Sequence, residues 1–242
     1  MAPQLELEYR LRWMDFDKYD RLQPFALFDI FQDVATMQAE EMGIGRDAML
    51  AEGVFWVIIR QKYEVVREPG HYQAVRVKTW PHTPSRFSFL RDFFVCDEEG
   101  ELLIKATSEW VLLDAATRKF ASVADHYDAS ASEFVADRAF ERKPRRVLSF
   151  DEGNRPVVEL LPRYSDIDLN GHVNNASYLH YVIDALNPGA EGSIKSLQLD
   201  YRYEVLPDEP IAMHTLVEGE SVRLKGVRSD GQVAFLCGIE LV

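Results

Sequence analysis

Ten residues in the second half of the chain hold the densest set of side chains able to do chemistry. From Asp166 to Asn175 they read Asp-Ile-Asp-Leu-Asn-Gly-His-Val-Asn-Asn. Asp and Asn side chains compete with the backbone for hydrogen bonds, so this run favours a turn or a helix cap over a helix interior. Beyond it the pattern changes: Ala176, Leu179, Val182, Ile183 and Leu186 recur near one helical face. The reading is a strand ending near Tyr164, a polar loop over 165–173 and a helix starting near Asn174 or Asn175. A helix start offers unpaired N–H groups and a partial positive charge, which suit a developing oxyanion. His172, just before that start, is of a type that acts as a base or places a water near neutral pH. Asp168 is spaced to orient it, and Asn170 to hold a carbonyl or a water. The same residues also describe an ordinary polar turn, capped by Asn and carrying a surface histidine.

The elements that would position this loop occur twice. In the first half, residues 5–13 alternate as a strand, and the polar loop Asp15–Arg21 follows. A helix is expected over 23–42, with Pro24 in its first turn, Gly43 at its end and Phe25, Phe28, Phe31, Val34 and Ala35 as its apolar stripe. Residues 46–51 form a short extra helix, and strands are expected over 54–66, 72–81, 85–96 and 101–113. Residues 114–148 break the pattern with an Ala/Ser/Asp-rich stretch, read as a weak helix, and the basic run Arg142–Arg146. The plan then restarts: a strand over 155–164, the polar loop, a helix over 174–186 and strands over 193–205, 209–218, 220–228 and 232–241. The fold class is therefore α+β, with each long helix wrapped by an antiparallel sheet. The domains are 1–115 and 151–242, joined by a linker over 116–150.

Residue matches support a duplication. Arg12-Trp-Met-Asp15-Phe-Asp17 aligns with Arg163-Tyr-Ser-Asp166-Ile-Asp168, and Lys62-Tyr-Glu64 aligns with Arg202-Tyr-Glu204. Asp168 keeps a counterpart in Asp17 and Glu204 in Glu64, but Asn170 faces Tyr19 and His172 faces Arg21. A loop needed only for folding might be expected to stay the same in both copies, so this asymmetry favours a site in the second half.

Composition narrows the function classes. The chain has 242 residues, 47% hydrophobic and 28% charged, enough for one large or two small cores. A net charge of −13 argues against general nucleic-acid binding. No run of 18 apolar residues is present, so no membrane-spanning helix is expected. The first residues hold no basic region and no apolar core, unlike a signal peptide. Cys96 and Cys237 have no metal-type spacing and sit in strand-like apolar runs, which fits a reducing, cytoplasmic setting. No metal site is expected.

Asp168-Leu-Asn170-Gly-His172-Val-Asn174-Asn175-Ala-Ser-Tyr178, followed by Leu199-Asp-Tyr-Arg202 and Glu204, resembles the acyl-ACP thioesterases, the plant FatA/FatB type and their bacterial relatives. The resemblance extends over Asp33–Gly45 and Trp56–Trp80, and so over nearly the whole chain. It implies a tandem, or double, hotdog fold and hydrolysis of fatty acyl thioesters on acyl carrier protein. It carries the catalytic roles onto Asp168, Asn170 and His172, with Glu204 as a further candidate base or a group that tunes His172. Glu64 holds the same repeat position without a histidine, so a structural role for Glu204 stays open. Plant members place a Cys after that Glu, once proposed as nucleophile; here the residue is Val205, and no Gly-x-Ser-x-Gly elbow exists. Water is then the expected nucleophile, or Asp168 through an anhydride. Backbone N–H groups at Val173 and Asn174 are the expected oxyanion donors. Phe28, Phe31, Phe55, Trp56 and Ile58 are candidates to line an acyl tunnel, although each also suits plain core. The acidic carrier needs a local basic patch, and Arg142–Arg146 is the densest. The phosphopantetheine arm comes with the substrate, so no cofactor is implied.

Three other readings share these residues. A hotdog acyl-CoA thioesterase would use the same chemistry, but no phosphate loop is present. A hydratase could use the His and Asp, and a non-catalytic acyl-binding protein could share the fold. A double hotdog mimics a dimer within one chain, which leaves monomer and homodimer both open.

Overall fold

A computed structural model describes residues 3–151, 156–189 and 192–242. The chain divides into two compact units, one of Met1–Gln23 and Leu27–Lys143, the other of Pro24–Ala26 and Pro144–Val242.

The first unit holds β1 (Leu5–Arg10), all but the first three residues of α1 (Pro24–Glu41), α2 (Arg46–Ala51), β2 (Val54–Val65), β3 (Ala74–Pro81), β4 (Phe89–Cys96), β5 (Leu102–Asp114) and the short β6 (Phe120–Ala121). Its strands pair antiparallel in the order β1-β3-β4-β5-β2, with β6 added to β5. Phe28, Phe31 and Val34 on α1 are buried, as the apolar stripe predicts. The Phe31 ring lies 4.7 Å from that of Phe93 on β4, and Phe28 meets Tyr63 on β2 edge-on at 6.1 Å.

The pleat of β2 separates two of the proposed tunnel residues, because consecutive side chains point to opposite faces. Trp56 donates its Nε1–H to the Ile44 carbonyl at 2.9 Å and packs beside Phe89, in a cluster with Met49 and Leu112. Phe55 instead lies under the Arg118 guanidinium, 5.2 Å away. Phe55 therefore does not share the face used by Trp56, which corrects its grouping with the others. Ile58 is buried.

The second unit repeats the plan with β7 (Val158–Leu160), α3 (Ser177–Leu186), β8 (Ile194–Tyr201), β9 (Ile211–Glu218), β10 (Ser221–Arg228) and β11 (Val233–Leu241). Its order, β7-β9-β10-β11-β8, is that of the first unit copy for copy. The strand expected over 155–164 is only three residues long, and residue 155 lies outside the described residues. The first strand of each half also stops earlier than its alternation implies. A 3-10 turn takes over at Trp13–Asp15 and at Tyr164–Asp166. The cause is local: Asp15 and Asp166 accept the amides of Arg12 and Arg163, each at 2.7 Å, and close the chain on itself.

The stretch 116–150 is not a loose linker. It contains two 3-10 turns, Val123–Asp125 and Ala129–Ala131, in place of the expected weak helix. Its later part is strapped to sheet side chains. The Ala139 amide donates to Asp92 at 2.8 Å, Phe140 lies beside Lys62 and Lys105, and Lys143 bonds to Glu109. Further on, the Val147 amide donates to Asp200 at 2.8 Å, and Lys225 donates to the Phe150 carbonyl at 2.8 Å. Arg142, Arg145 and Arg146 keep their side chains exposed along this strap.

Candidate active site

The polar loop of the second unit is a tight hairpin. The Asp168 amide donates to the His172 carbonyl at 2.9 Å, and the Gly171 amide donates back to the Asp168 carbonyl at 3.0 Å. Gly171 takes a φ of +80°, a left-handed backbone that glycine adopts without cost. The Asp168 carboxylate caps the turn from inside. Its Oδ1 accepts the Asn170 amide at 2.8 Å and its Oδ2 accepts the Asn170 carboxamide at 3.2 Å. Asp168 and His172 are half-buried, while Leu169, Asn170 and Gly171 are exposed.

His172 is oriented by one hydrogen bond and one nearby carboxylate. Its Nδ1 lies 3.2 Å from the Val173 carbonyl and 3.7 Å from Asp168 Oδ1. The Val173 carbonyl has no proton to give, so in that contact Nδ1 is the donor, and Nε2 is the nitrogen left for a substrate or water.

The loop in the first unit has the same frame with a different occupant. The Asp17 amide donates to the Arg21 carbonyl at 2.9 Å, and Asp17 Oδ1 accepts the Tyr19 and Arg21 amides at 2.8 and 3.0 Å. Asp20, at φ +65°, stands where the second copy has Gly171. Arg21, in the place of His172, bonds Asp17 Oδ2 through Nε at 2.9 Å. Burial opposes the Asp17 carboxylate, but the bonds from Arg21 and from the Tyr19 and Arg21 amides outweigh it and hold its pKa below the ordinary range. The aspartate shared by both copies is thus explained by the turn. What distinguishes the second copy is Asn170 and a histidine whose Nε2 is unspent.

Two expected donors are already used. The Val173 amide donates to the Val205 carbonyl at 2.9 Å, and the Asn174 amide to the Asp166 carbonyl at 2.8 Å. Neither is open to an oxyanion, which corrects that assignment. The helix also begins later than expected, at Ser177, because the Asn174 side chain accepts the Ala176 amide at 2.8 Å and shapes a turn ahead of it.

Glu204 enters the neighbourhood through its next residue. Val205 receives the Val173 amide on its carbonyl and donates its own amide to the Tyr178 hydroxyl at 3.2 Å. Burial raises the Tyr178 phenol above its ordinary pKa; the Val205 bond and Arg228 oppose this, while Glu204 and Asp168 add to it. That hydroxyl is therefore within electrostatic reach of both carboxylates. Reading the sequence passed over Tyr178, Tyr181 and Tyr201 as parts of the site. Tyr181 donates to Asp166 Oδ2 at 2.9 Å, and Tyr201 donates to the Asn175 carbonyl at 3.0 Å. A signal was available: the aligned first-half residues are Leu27, Ile30 and Gln61, none of them tyrosine.

The two thiols are poorly suited to attack. Burial raises the pKa of Cys96 and of Cys237, leaving little thiolate. Among the described residues, no group of three His, Cys, Asp or Glu side chains is placed to hold a metal ion. No helix among them is long and apolar enough to cross a membrane.

Known families agree with this architecture. The model of the acyl-ACP thioesterase N-terminal domain matches residues 4–131, and that of the C-terminal domain matches residues 151–234. The chain belongs to the acyl-ACP thioesterase family. A chloroplast acyl-[acyl-carrier-protein] hydrolase of Cuphea viscosissima is 30% identical over 179 residues, covering 71% of this chain and 43% of that protein. Oleoyl-acyl carrier protein thioesterase 1 of Arabidopsis thaliana is 26% identical, covering 84% of this chain and 61% of its own. The aligned chain thus spans about half the length of these relatives. Among solved structures, the 12:0-ACP thioesterase of Umbellularia californica superposes with a TM-score of 0.88 at 22% identity, covering 100% of this chain and 98% of that one. An acyl-ACP thioesterase of Bacteroides thetaiotaomicron gives 0.87 at 23%, covering 99% and 98%. The fold of the acyl-ACP thioesterase family is a double hotdog, as the resemblance implied.

Proposed function

We propose that this protein hydrolyses fatty acyl thioesters carried on acyl carrier protein. The observation that carries the reading is His172, with Nδ1 on the Val173 carbonyl and near the Asp168 carboxylate and Nε2 left for a substrate or water, beside Asn170 in a chain of this family. In the step envisaged, a water oxygen attacks the thioester carbonyl carbon while its proton passes to His172 Nε2. The carbonyl oxygen takes up the charge, supported by the second N–H of the Asn170 carboxamide, whose first is given to Asp168. Collapse breaks the C–S bond. The proton held on Nε2 goes to the leaving thiolate of the pantetheine arm, releasing free fatty acid and carrier. Glu204 serves as a charge near the loop, and no cofactor takes part.

Carrier recognition follows from charge. Against a net −13, the exposed Arg142, Arg145 and Arg146 on the strap offer a local basic stretch to an acidic partner. The deciding experiment compares kcat/KM on matched acyl-ACP and acyl-CoA series from C8 to C18. A clear preference for acyl-ACP supports the proposal. Equal or better rates on acyl-CoA keep the chemistry and discard the carrier, and no turnover on either discards the hydrolase.

A further inference from the structure

Three tyrosine hydroxyls meet the catalytic loop from outside it. Tyr181, one turn into α3, donates to Asp166, which itself holds the entry turn through the Arg163 amide at 2.7 Å and the exit through the Asn174 amide at 2.8 Å. Tyr201, at the end of β8, donates to the Asn175 carbonyl at 3.0 Å, just past the loop. Tyr178 accepts the Val205 amide at 3.2 Å and so fixes the segment that carries Glu204 and receives the Val173 amide. The Tyr178 ring packs edge-on against Tyr181, Tyr201 and Phe235, with centroids 5.0–6.3 Å apart, so the three phenols form one cluster.

Comparison with the first unit says what the cluster is for. There the loop is braced by its own side chains: Arg21 bonds Asp17, and Gln23 donates its side-chain N–H to the Phe16 carbonyl at 3.1 Å. Leu27, Ile30 and Gln61 occupy the tyrosine positions, and that unit has the same strand order. The tyrosines are therefore not required by the fold. They occur in the copy whose loop has His172 in place of an arginine and so lacks the Arg21–Asp17 type of ionic tie, keeping the Asn170–Asp168 bonds within the loop.

We propose that Tyr178, Tyr181 and Tyr201 are positioning residues, a hydroxyl clamp that holds the His172 loop and the Glu204 segment in register for the reaction. This rests on the hydrolase reading for its consequence on rate, but the clamp itself is measurable without turnover. Tyr→Phe at each site removes a hydroxyl and keeps the ring. Amide exchange should respond at the bond each hydroxyl supports: Val173 in Tyr178→Phe and Asn174 in Tyr181→Phe, each about fivefold faster at the scale of one lost hydrogen bond. On acyl-ACP, each single variant should lose about fivefold in kcat, and the triple variant about a hundredfold, with KM within twofold. Tyr203→Phe, at an exposed tyrosine outside the clamp, should match wild type in both measurements.

A merely structural role would lower the melting temperature and leave kcat per folded molecule unchanged, and that result overturns the proposal. Unchanged exchange at both amides overturns it whatever the rates show. A rise in KM with kcat preserved also overturns it. If the triple variant does not fold, the single variants decide by the same criteria. If wild type hydrolyses no thioester, the functional reading falls, and amide exchange alone judges the clamp.

Discussion

Asp168 has two jobs that one pair of substitutions can separate. Asp168→Asn keeps an oxygen for the Asn170 amide, now 2.8 Å away, but loses the charge beside His172 and the second oxygen that accepts the Asn170 carboxamide. With His172 protonated in the reaction, a unit charge at 3.7 Å interacts by about 1.1 kcal/mol at the dielectric of water, the lower bound for this half-buried pair. One lost side-chain hydrogen bond adds about 1 kcal/mol. Expressed in kcat, the sum of about 2 kcal/mol is roughly a 30-fold loss. Asp168→Ala also removes the acceptor of the Asn170 amide, which brings the total to about 3 kcal/mol, roughly 150-fold. The turn itself is then weakened further, so the melting temperature should fall by about 2–4 °C more in the Ala variant than in the Asn variant. The assay is acyl-ACP hydrolysis at saturating substrate, followed by release of the carrier thiol, with a thermal melt of each variant. Wild-type kcat in Asp168→Asn would refute the charge as a contributor. Equal losses and equal melting points in the two variants would refute the turn-capping role.

Other outcomes follow from the same geometry. His172→Ala should lower kcat by about 10²–10⁴-fold with little change in the melt, since its one hydrogen bond is to the adjacent Val173 carbonyl; wild-type-like turnover would remove it from the chemistry. Charge reversal at Arg142, Arg145 and Arg146 together should raise KM for acyl-ACP about tenfold at low salt and leave acyl-pantetheine unaffected, because the Coulomb attraction belongs to the carrier. Cys96→Ala and Cys237→Ala should keep kcat per folded molecule, as both thiols are held protonated by burial. Burial raises the phenols of Tyr178, Tyr181 and Tyr201, the last two further through Asp166 and Tyr178 respectively. Groups raised in the folded state contribute fully below their unfolded pKa, so stability should hold up to about pH 10 and fall above it. The triple Phe variant should show a flatter alkaline limb in melts taken from pH 8 to 11.

The duplication was legible in the sequence because its markers are short and local. Arg12 with Asp15, and Arg163 with Asp166, each build a turn from residues three apart, and both turns formed as matched copies. The Asp168 turn was legible for the same reason. The fate of the Val173 amide was not, because Val205 lies 32 residues further on and nothing near the loop announces it, whereas the Asn174 amide is taken up within the loop, by the Asp166 carbonyl. The tyrosine contacts were hidden likewise, since Tyr201 reaches Asn175 from another strand. Residues 116–150 looked like a linker because their own composition is loose. What fixes them is Asp92, Asp200 and Lys225, polar side chains on strands that gave no local sign of a partner. Phe55 was grouped with Trp56 by hydrophobicity, although adjacent strand residues cannot share a face.

The Asp17–Arg21 pair of the first loop has a consequence for how the two halves tolerate change. Holding an ionic tie where the second loop holds His172, that loop should register mutation as a loss of folded protein. On the proposed mechanism, the second loop should register the same kind of change as a loss of turnover. In a library randomised at Tyr19, Arg21, Asn170 and His172, abundance and activity should therefore come apart: first-loop variants that survive do so at full specific activity, and second-loop variants accumulate as well-folded, silent protein. Reinstalling Asn and His at positions 19 and 21 would not restore symmetry, because Leu27, Ile30 and Gln61 provide no hydroxyl to hold them.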